Sequence, residues 1–337
     1  MPAYVLGVDG GGSKTIAVAA NYEGEVIALA RSGPSNYQTI GVEAARQSIA
    51  TCLKTITAQI GPDTECRAAY YALAGADRPS DFAIIESFLA PLNPAPLWKI
   101  ENDALAALAL VSEDGSGVVV VCGTGTNCIG ISPDGKRVQI GGLGRIFGDR
   151  AGGTEIATRA YSAAVRSEDG RGKPTLLAPL LRQHLGIERL EDLADRVFAA
   201  PRKYNLATLV PVVFAATEAG DEVAREILQD TGRELGISAL AALRRLFPKE
   251  ATVKVVLTGG ITKYPNTIIE EAMRAVIHEE YGRAEIVVPD AEPVLGAVLS
   301  ALRLAGRALD PGLLGRLKTS FIQMDKPSQY DTGVLSG

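Results

Sequence analysis

The sequence contains one structural unit twice, and this repeat limits the folds open to the chain. Residues 4–30 read as a strand, a Gly/Ser/Lys/Thr loop, a second strand, a polar turn and a third strand. Residues 117–142 follow the same order, with a Gly/Thr loop at 123–127. Glycine lets backbone N–H groups approach an anion closely, and neighbouring hydroxyls add donors. The repeat therefore predicts two similar lobes that each offer a phosphate loop.

Two better-known phosphate motifs do not explain the first loop. A dinucleotide-binding fingerprint needs a helix directly after its glycines, but here an apolar strand and a polar turn follow and predict a hairpin. A Walker A loop ends in Gly-Lys-Ser/Thr. Gly7 and Gly12 have its separation, but Ser13 stands where its lysine should be. Both motifs are therefore excluded.

Composition excludes several classes of function. The 337 residues suffice for two domains, and a net charge of −5 without a long basic run argues against nucleic acid or an anionic membrane as a partner. The N-terminus has no signal-peptide pattern and no apolar run is long enough to span a bilayer, so we expect a cytoplasmic protein. Four cysteines without Cys-x-x-Cys spacing and two histidines indicate neither a zinc site nor a disulfide framework.

The rest of the chain alternates between predicted strands and helices. Strand 68–73 leads to an Ala-Gly-Ala-Asp loop, and strand 98–101 leads to Asn102 and Asp103. The position of Asp103 matters because ligands of α/β sheets gather at the carboxyl ends of strands. A mainly helical segment over about 151–246 precedes the last strands and helices.

Seven short motifs stand in the order seen in the N-acetylglucosamine kinase and BadF/BadG/BcrA/BcrD ATPase group of the actin, hexokinase and Hsp70 superfamily. The resemblance covers roughly residues 4–304, and its motifs lie at 9–15, 33–36, 102–103, 123–127, 141–144, 148–149 and 257–260. It implies an α/β fold of two ribonuclease H-like (actin-like ATPase) lobes with a cleft between them. The expected domains are an N-terminal lobe 1–115, a C-terminal lobe 116–316 with a helical insertion at about 151–246, and a tail 317–337.

The resemblance also implies an activity. We expect a homodimer that phosphorylates an amino sugar with ATP and Mg²⁺. The first candidate substrate is N-acetylglucosamine, and the product would be its 6-phosphate. Asp9 matches the position that binds Mg²⁺, and Asp103 matches the general base. The positions similar to the nucleotide-binding residues are Gly11, Gly12, Ser13, Lys14, Thr15, Gly123, Thr124, Gly125, Thr258, Gly259, Gly260 and Lys263. The positions similar to the sugar-binding residues are Asn36, Asp103, Thr126, Asn127, Gly142, Leu143, Gly144 and Asp149.

The chemistry agrees with this reading, although each residue also has a plain structural explanation. Phosphoryl transfer needs backbone donors, a metal and one carboxylate to accept the hydroxyl proton, and it needs no histidine. Asp103 and Asp149 could instead cap the helices that follow them. Asn36 could close a turn, and Lys14 could be a solvated loop charge.

Two positions depart from the family pattern. Leu143 stands where these kinases usually carry an aromatic residue, and Arg150 stands where they usually carry Glu. The added cation of Arg150 makes N-acetylmuramic acid an alternative substrate. Glucosamine is a further alternative. Two other classes stay open. One is a BadF-type ATPase activator, which needs cysteines at a subunit interface for an iron–sulfur cluster; the other is a non-catalytic sugar sensor.

Overall fold

The computed structural model describes residues 2–194, 205–264 and 266–325. The chain divides into two compact units, the first comprising residues 1–113 and 289–337 and the second comprising residues 114–288. No helix among the described residues is both long and apolar enough to cross a membrane. The predicted mixture of strands and helices is confirmed, and each unit is built around its own sheet.

The first unit contains a five-stranded sheet in the order β3-β2-β1-β4-β5. The first three strands form antiparallel pairs, whereas β1, β4 and β5 run parallel. The strands are β1 Ala3–Gly10, β2 Thr15–Ala20, β3 Val26–Ser32, β4 Glu65–Leu73 and β5 Leu97–Glu101. The carboxyl ends of β1, β4 and β5 therefore meet at one edge of the sheet.

Helices cover both faces of this sheet. The first face packs against α2 through Ile49, Leu53 and Ile56. The second packs against α10, whose Val294 and Val298 lie in the same core as Val5 and Val18. The helices of the first unit are α1 Tyr37–Ile40, α2 Val42–Ile60, α3 Pro79–Leu89, α4 Ala104–Ala109, α10 Pro293–Leu304 and α11 Leu313–Met324.

The packing of α10 explains why residue 7 is a glycine and why the expected boundary of the C-terminal lobe differs from the structure. Gly7 lies under this helix, where a Cβ atom would come within 2.5 Å of the Val298 backbone nitrogen. Gly7 is thus required for close packing, which agrees with the exclusion of a Walker A loop. The expected C-terminal lobe extended to residue 316, yet residues from Pro289 onward group with the first unit. The place of amphipathic α10 in the chain had suggested that it belongs to the C-terminal lobe. Its apolar face, however, packs on β1 and β4 of the first unit. The expected tail begins inside α11, which packs through Leu317 and Phe321.

The second unit repeats the topology of the first. Its sheet has the order β10-β9-β6-β7-β8, with antiparallel β6, β7 and β8 and parallel β6, β9 and β10. The strands are β6 Gly117–Cys122, β7 Thr126–Ile131, β8 Arg137–Ile140, β9 Lys254–Thr258 and β10 Glu285–Val287. A hairpin after the first strand and two parallel neighbours occur in both units, so the sequence repeat is a repeat of fold.

The predicted helical insertion is confirmed where the structure describes it, and its residues 195–204 lie outside the described part. Its helices share a core with β6 and β9 through Ile156, Leu181, Val213 and Leu228. The helices of the second unit are α5 Gly153–Glu168, α6 Leu177–Leu185, α7 Val210–Glu218, α8 Glu222–Leu246 and α9 Ile268–His278. Short 3-10 turns occur at Arg145–Phe147, Leu206–Leu209 and Gly260–Lys263.

Candidate active site

Three acidic side chains follow the parallel strands of the first unit. Asp9 lies at the end of β1, Asp77 lies in the loop after β4, and Asp103 lies two residues after β5. Each of the three strands contributes its carboxyl end to the same sheet edge, where ligands of α/β proteins bind. The fold therefore brings together one acid from each strand.

Asp103 is fixed by the start of α4. Its Oδ1 accepts a hydrogen bond of 3.0 Å from the Ala104 amide, and Asn102 Oδ1 accepts from the same amide at 3.0 Å. The capping role considered from the sequence is thus present. Because a carboxylate has two oxygens with several acceptor sites, the cap still leaves Asp103 able to accept a proton from a substrate.

The pKa values of both strand-end acids are raised. Burial and the neighbouring charge of Asp103 raise the pKa of Asp9 to about 7, against the opposing effect of Lys14. Burial and the charge of Asp77 raise the pKa of Asp103 to about 6. Like charges gathered in a poorly solvated place disfavour ionisation. A carboxylate with a pKa near the working pH is suited to accept a proton during catalysis.

Asp9 also suits a divalent cation. No group of three or more His, Cys, Asp or Glu side chains that could hold a metal occurs among the described residues. Mg²⁺, however, is usually held by one or two carboxylates together with substrate phosphates and water. Burial and the nearby carboxylate of Asp103 disfavour ionised Asp9, and a bound cation would neutralise this excess of negative charge.

The first predicted phosphate loop, residues 11–15, is only partly free to bind a ligand. The Gly11 amide donates to the Lys14 carbonyl at 2.9 Å, and buried Thr15 donates its hydroxyl to the Gly33 carbonyl at 2.8 Å. Gly12, Ser13 and Lys14 are exposed. Lys14 forms an ion pair of 3.3 Å with Glu292. The exposed residues can therefore reach a phosphate, whereas Thr15 and the Gly11 amide hold the shape of the loop.

Asn36 lies close to the loop that follows β4. Its Oδ1 accepts from the Gln38 amide at 3.0 Å and thereby caps α1. A Cβ atom at Gly75, whose φ is +86°, would stand 2.7 Å from that same oxygen. Asn36 thus has the predicted turn role and also faces the Ala74–Asp77 loop.

Sequence reasoning missed the role of Asp77. Asn102 Nδ2 donates to Asp77 Oδ1 at 2.9 Å, and the Asp77 charge raises the pKa of Asp103. A signal was present, because Asp77 lies in the loop after a parallel strand, as Asp103 does. Glu292 was also missed: only the fold of the first unit brings it to Lys14, 278 positions earlier in the chain.

The second predicted phosphate loop, 123–127, overlaps the start of β7, and its first residues, 123–125, are held by the start of α5. The amides of Gly153 and Thr154 donate to the carbonyls of Gly123 and Thr124 at 2.7 and 2.9 Å. Gly152 has a φ of +97°, and a Cβ atom there would come within 2.7 Å of the Gly125 backbone. Thr124 and Gly125 remain exposed. The loop is therefore rigid at its base and open on its outer side.

The segment expected to meet adenosine follows the strand next to this loop. Thr258 ends β9, which pairs with β6 in parallel, and a Cβ atom at Gly259 would meet the Cys122 carbonyl at 2.5 Å. Gly260 and Lys263 are exposed. Thr258–Gly260 and the second phosphate loop thus lie at the carboxyl ends of adjacent strands, as the prediction requires.

Asp149 organises the glycine segment 141–149. Its two carboxylate oxygens accept from the amides of Gly142 and Gly144 at 3.2 and 2.6 Å. Gly142 also faces Asn127, since a Cβ atom there would stand 2.5 Å from Asn127 Oδ1. The structure therefore brings Asn127, Gly142, Gly144 and Asp149 together. Asp149 acts within this cluster as the residue that shapes the loop.

The same segment exposes apolar side chains. Leu143, Ile146 and Phe147 have 58%, 93% and 72% of their surface accessible. Arg150 is exposed as well, whereas Thr126 at the start of β7 is half-buried. Leu143 thus presents an aliphatic surface beside the amides of Gly142 and Gly144.

The four cysteines, Cys52, Cys66, Cys122 and Cys128, are free and buried. Burial raises the pKa of the Cys122 thiol to about 12. An iron–sulfur cluster needs thiolate ligands, so these buried thiols do not suit a cluster at a subunit surface.

The fold of the chain is the actin-like ATPase fold that solved sugar kinases share. A solved structure provisionally named N-acetylglucosamine kinase, from Chromobacterium violaceum, is 25% identical, covers 90% of this chain and 98% of its own, and has a TM-score of 0.65. A glucokinase from Streptomyces griseus, solved with glucose and AMPPNP, has a TM-score of 0.56 at 14% identity over 88% of this chain and 98% of its own, and supports the fold.

The chain belongs to the BadF/BadG/BcrA/BcrD ATPase family, whose model matches residues 6–301. It is 32% identical to an N-acetylmuramic acid/N-acetylglucosamine kinase of Clostridium acetobutylicum, over 88% of this chain and 98% of the relative. It is 29% identical to an N-acetyl-D-glucosamine kinase of Dictyostelium discoideum, over 88% of this chain and 97% of the relative. The expected family is confirmed.

Proposed function

We propose that this protein is an ATP-dependent amino sugar kinase that phosphorylates N-acetylglucosamine at its 6-hydroxyl. The observation that carries the proposal is Asp103, a carboxylate with a raised pKa just after the end of β5. The adjacent strand β4 leads to a loop that carries a second acid, Asp77. The relatives named as kinases of N-acetylglucosamine, N-acetylmuramic acid and glucosamine agree in the class of substrate.

The proposed chemistry is a single displacement. The sugar 6-hydroxyl donates its hydrogen bond to the Asp103 carboxylate, which accepts the proton as the oxygen attacks the γ-phosphorus. The new O–P bond forms as the bond to the β-phosphate oxygen breaks, and ADP leaves. Ionised Asp103 is required at the start, so the raised pKa places the base close to neutral pH.

Both units supply sugar-binding and phosphate-binding groups in the proposed reaction. In the first unit Asn36 and Asp103 bind the sugar, and Gly12, Ser13 and Lys14 donate to phosphate oxygens. Asp9 would hold Mg²⁺, which neutralises charge on the phosphate chain when bound. In the second unit Thr124 and Gly125 donate to phosphate, Thr258–Gly260 and Lys263 meet the adenosine, and the cluster around Asp149 meets the sugar.

The test is ADP release with Mg·ATP and each of several sugars. The sugars are N-acetylglucosamine, glucosamine, N-acetylmuramic acid, N-acetylmannosamine and glucose, with a no-sugar control. We expect strong stimulation by N-acetylglucosamine that is lost in Asp103→Asn. Sugar binding without ADP release would indicate a sensor instead. Sugar-independent hydrolysis by an iron-containing protein would indicate an activator.

A second candidate substrate is N-acetylmuramic acid. Exposed Arg150 directly follows Asp149, and its cation can pair with the lactyl carboxylate that distinguishes this sugar. The Clostridium relative carries both sugars in its name. The sugar series above separates the two candidates, because only the muramic acid bears a carboxylate.

A further inference from the structure

We propose that the second unit carries a separate binding site for a phosphate ester of a hydroxyl-rich molecule, in a groove between α5 and α8. The groove has a volume of about 410 Å³. Small-molecule sites usually measure about 300–1,000 Å³. None of the residues assigned above to nucleotide, sugar or metal lines it.

Four cations from three separate segments converge on this groove. Arg145 comes from the 3-10 turn, Arg159 and Arg166 come from one face of α5, and Lys173 comes from the turn after that helix. Only one carboxylate, that of Glu226, lines the groove among the described residues. Like charges repel when they are crowded together, so such convergence favours an anionic occupant.

Most of these cations already have a carboxylate partner. Arg159 pairs with Asp230 at 2.6 Å, and Lys173 pairs with Glu226 at 2.7 Å. Such exposed pairs contribute about 0–1 kcal/mol and leave donors unused. The cations can therefore keep these partners and still donate to a ligand.

Arg166 differs from the others. Its Nη2 donates to the Arg171 carbonyl at 3.1 Å, and within the described part of the chain it makes no ion pair with a carboxylate. A guanidinium has five N–H donors in a fork that matches phosphate oxygens. Arg166 is therefore the principal phosphate contact that we infer.

The remaining lining indicates the chemistry of the rest of the ligand. Ser162 offers a hydroxyl, and Glu226 offers carboxylate oxygens that can accept from ligand hydroxyls. Val223 and Ile227 provide an apolar wall on α8. A sugar phosphate combines one anionic group for Arg166 with several hydroxyls for Ser162 and Glu226.

The groove is linked to the glycine segment through Arg145. This residue follows Gly144, whose amide is held by Asp149, and its Nε pairs with Glu155 at 3.3 Å. A phosphate in the groove competes with Glu155 for this guanidinium. We therefore expect occupancy of the groove to change the apparent affinity for the sugar substrate. This expectation rests on the sugar contacts proposed for the glycine segment.

Binding is measured by calorimetry on the full-length protein with glucose 6-phosphate, inorganic phosphate and glucose, at ~0.15 M ionic strength. Arg166→Gln removes the inferred contact. Arg171→Gln is the matched control, because it removes an equal charge from a neighbouring exposed side chain that pairs with Asp169 outside the groove.

We expect glucose 6-phosphate to bind the wild type and the Arg171→Gln control equally, and Arg166→Gln about tenfold more weakly, as the loss of one charge-assisted hydrogen bond predicts. Glucose, which lacks the phosphate, should bind weakly or not at all. Equal affinity in Arg166→Gln and wild type, or equal weakening in both variants, would overturn the proposal.

The coupling is measured separately as the KM for the amino sugar with and without glucose 6-phosphate. We expect glucose 6-phosphate to change this KM in the wild type and in Arg171→Gln, but much less in Arg166→Gln. If the protein proves not to be a kinase, the calorimetric comparison still decides whether the site exists. If it is a kinase whose KM does not change in the wild type, the link through Arg145 is wrong.

Discussion

Asn102 Nδ2 donates a hydrogen bond to Asp77 Oδ1 over 2.9 Å, and this bond keeps a second carboxylate near Asp103, the proposed general base. Asp77 is therefore a positioning residue in the proposed reaction, because it acts on Asp103 through charge and through Asn102. Its effect should be visible in the pH dependence of catalysis rather than in substrate binding.

We expect Asp77→Asn to move the acidic limb of the kcat/KM profile to lower pH. The Asp77 charge raises the pKa of Asp103. In the wild type, activity should fall as the pH drops through about 6, because protonated Asp103 cannot accept a proton. Without the neighbouring charge, Asp103 stays ionised to lower pH. Asn can still accept from Asn102, so a variant with an unshifted profile would remove Asp77 from the mechanism.

Asp103→Asn should separate catalysis from stability. We expect kcat to fall by about 10²–10⁴-fold, the usual contribution of a positioned base. Asn Oδ1 can still accept from the Ala104 amide, so the cap of α4 is preserved.

The stability of the same variant should depend on pH in a defined direction. Because the folded-state pKa of Asp103 is raised to about 6, its contribution to stability is full below the unfolded-state pKa and is lost as the pH rises through about 6. Urea unfolding at pH 8 should show the variant to be more stable by on the order of 1–2 kcal/mol, with little difference at pH 4. A variant less stable at pH 8 would contradict the assigned pKa shift.

Much of the fold followed from the sequence because the repeat and the hydrophobic periodicity are local signals. The predicted strands 68–73 and 98–101 lie within β4 and β5, and both hairpins lie where the repeat predicted them. Packing between residues far apart in the sequence could not be predicted from such local signals. Nothing in the sequence of α10 shows that it packs on β1, nearly 290 positions earlier, so its unit could not be assigned from order alone.

The candidate site shows the same division. Its place at a strand end pointed to Asp103, and the family resemblance pointed to Asp9, Asn36 and Asp149. The structure places Asp9, Asn36 and Asp103 in the first unit and Asp149 in the second. The hydrogen bonds of Asn36, Asp103 and Asp149 are made within their own segments, but the charge that raises the pKa of Asp103 comes from the loop after another strand. The role of Asp77, which is bonded to Asn102, could therefore not be read from spacing. Thr15 illustrates the point, since its hydroxyl serves the Gly33 carbonyl.

Thr15→Val should therefore lower stability while leaving nucleotide affinity unchanged. The variant leaves the Gly33 carbonyl without its 2.8 Å donor. Because Gly33 is exposed and water can replace part of this bond, the loss should cost about 0.5–1.5 kcal/mol. Thr15→Ser retains the hydroxyl and is the control for urea unfolding. Ser13→Ala, in the exposed part of the loop, should instead raise the KM for ATP. The prediction is wrong if Thr15→Val raises that KM while the protein remains fully folded.

Asp149→Asn should weaken sugar binding by loosening the glycine segment. Asn has one acceptor oxygen in place of two, so it cannot hold the amides of both Gly142 and Gly144 as the carboxylate does. We expect the KM for the amino sugar to rise about tenfold, with the KM for ATP unchanged. Asp134→Asn is a control in an exposed turn of the same unit, where Asp134 accepts from Ser132. Equal effects of the two variants would deny Asp149 its role.

Arg150→Glu should change the choice between two sugars. N-acetylmuramic acid carries a lactyl carboxylate that N-acetylglucosamine lacks, and exposed Arg150 lies next to Asp149 in the proposed sugar segment. Charge reversal replaces a charge-assisted attraction by repulsion, whereas Arg150→Gln only removes the attraction. We expect the ratio of kcat/KM for N-acetylmuramic acid to that for N-acetylglucosamine to fall about tenfold in Arg150→Glu and less in Arg150→Gln. If both ratios equal that of the wild type, Arg150 does not contact the substrate, and the aliphatic surface of Leu143 becomes the next position to vary.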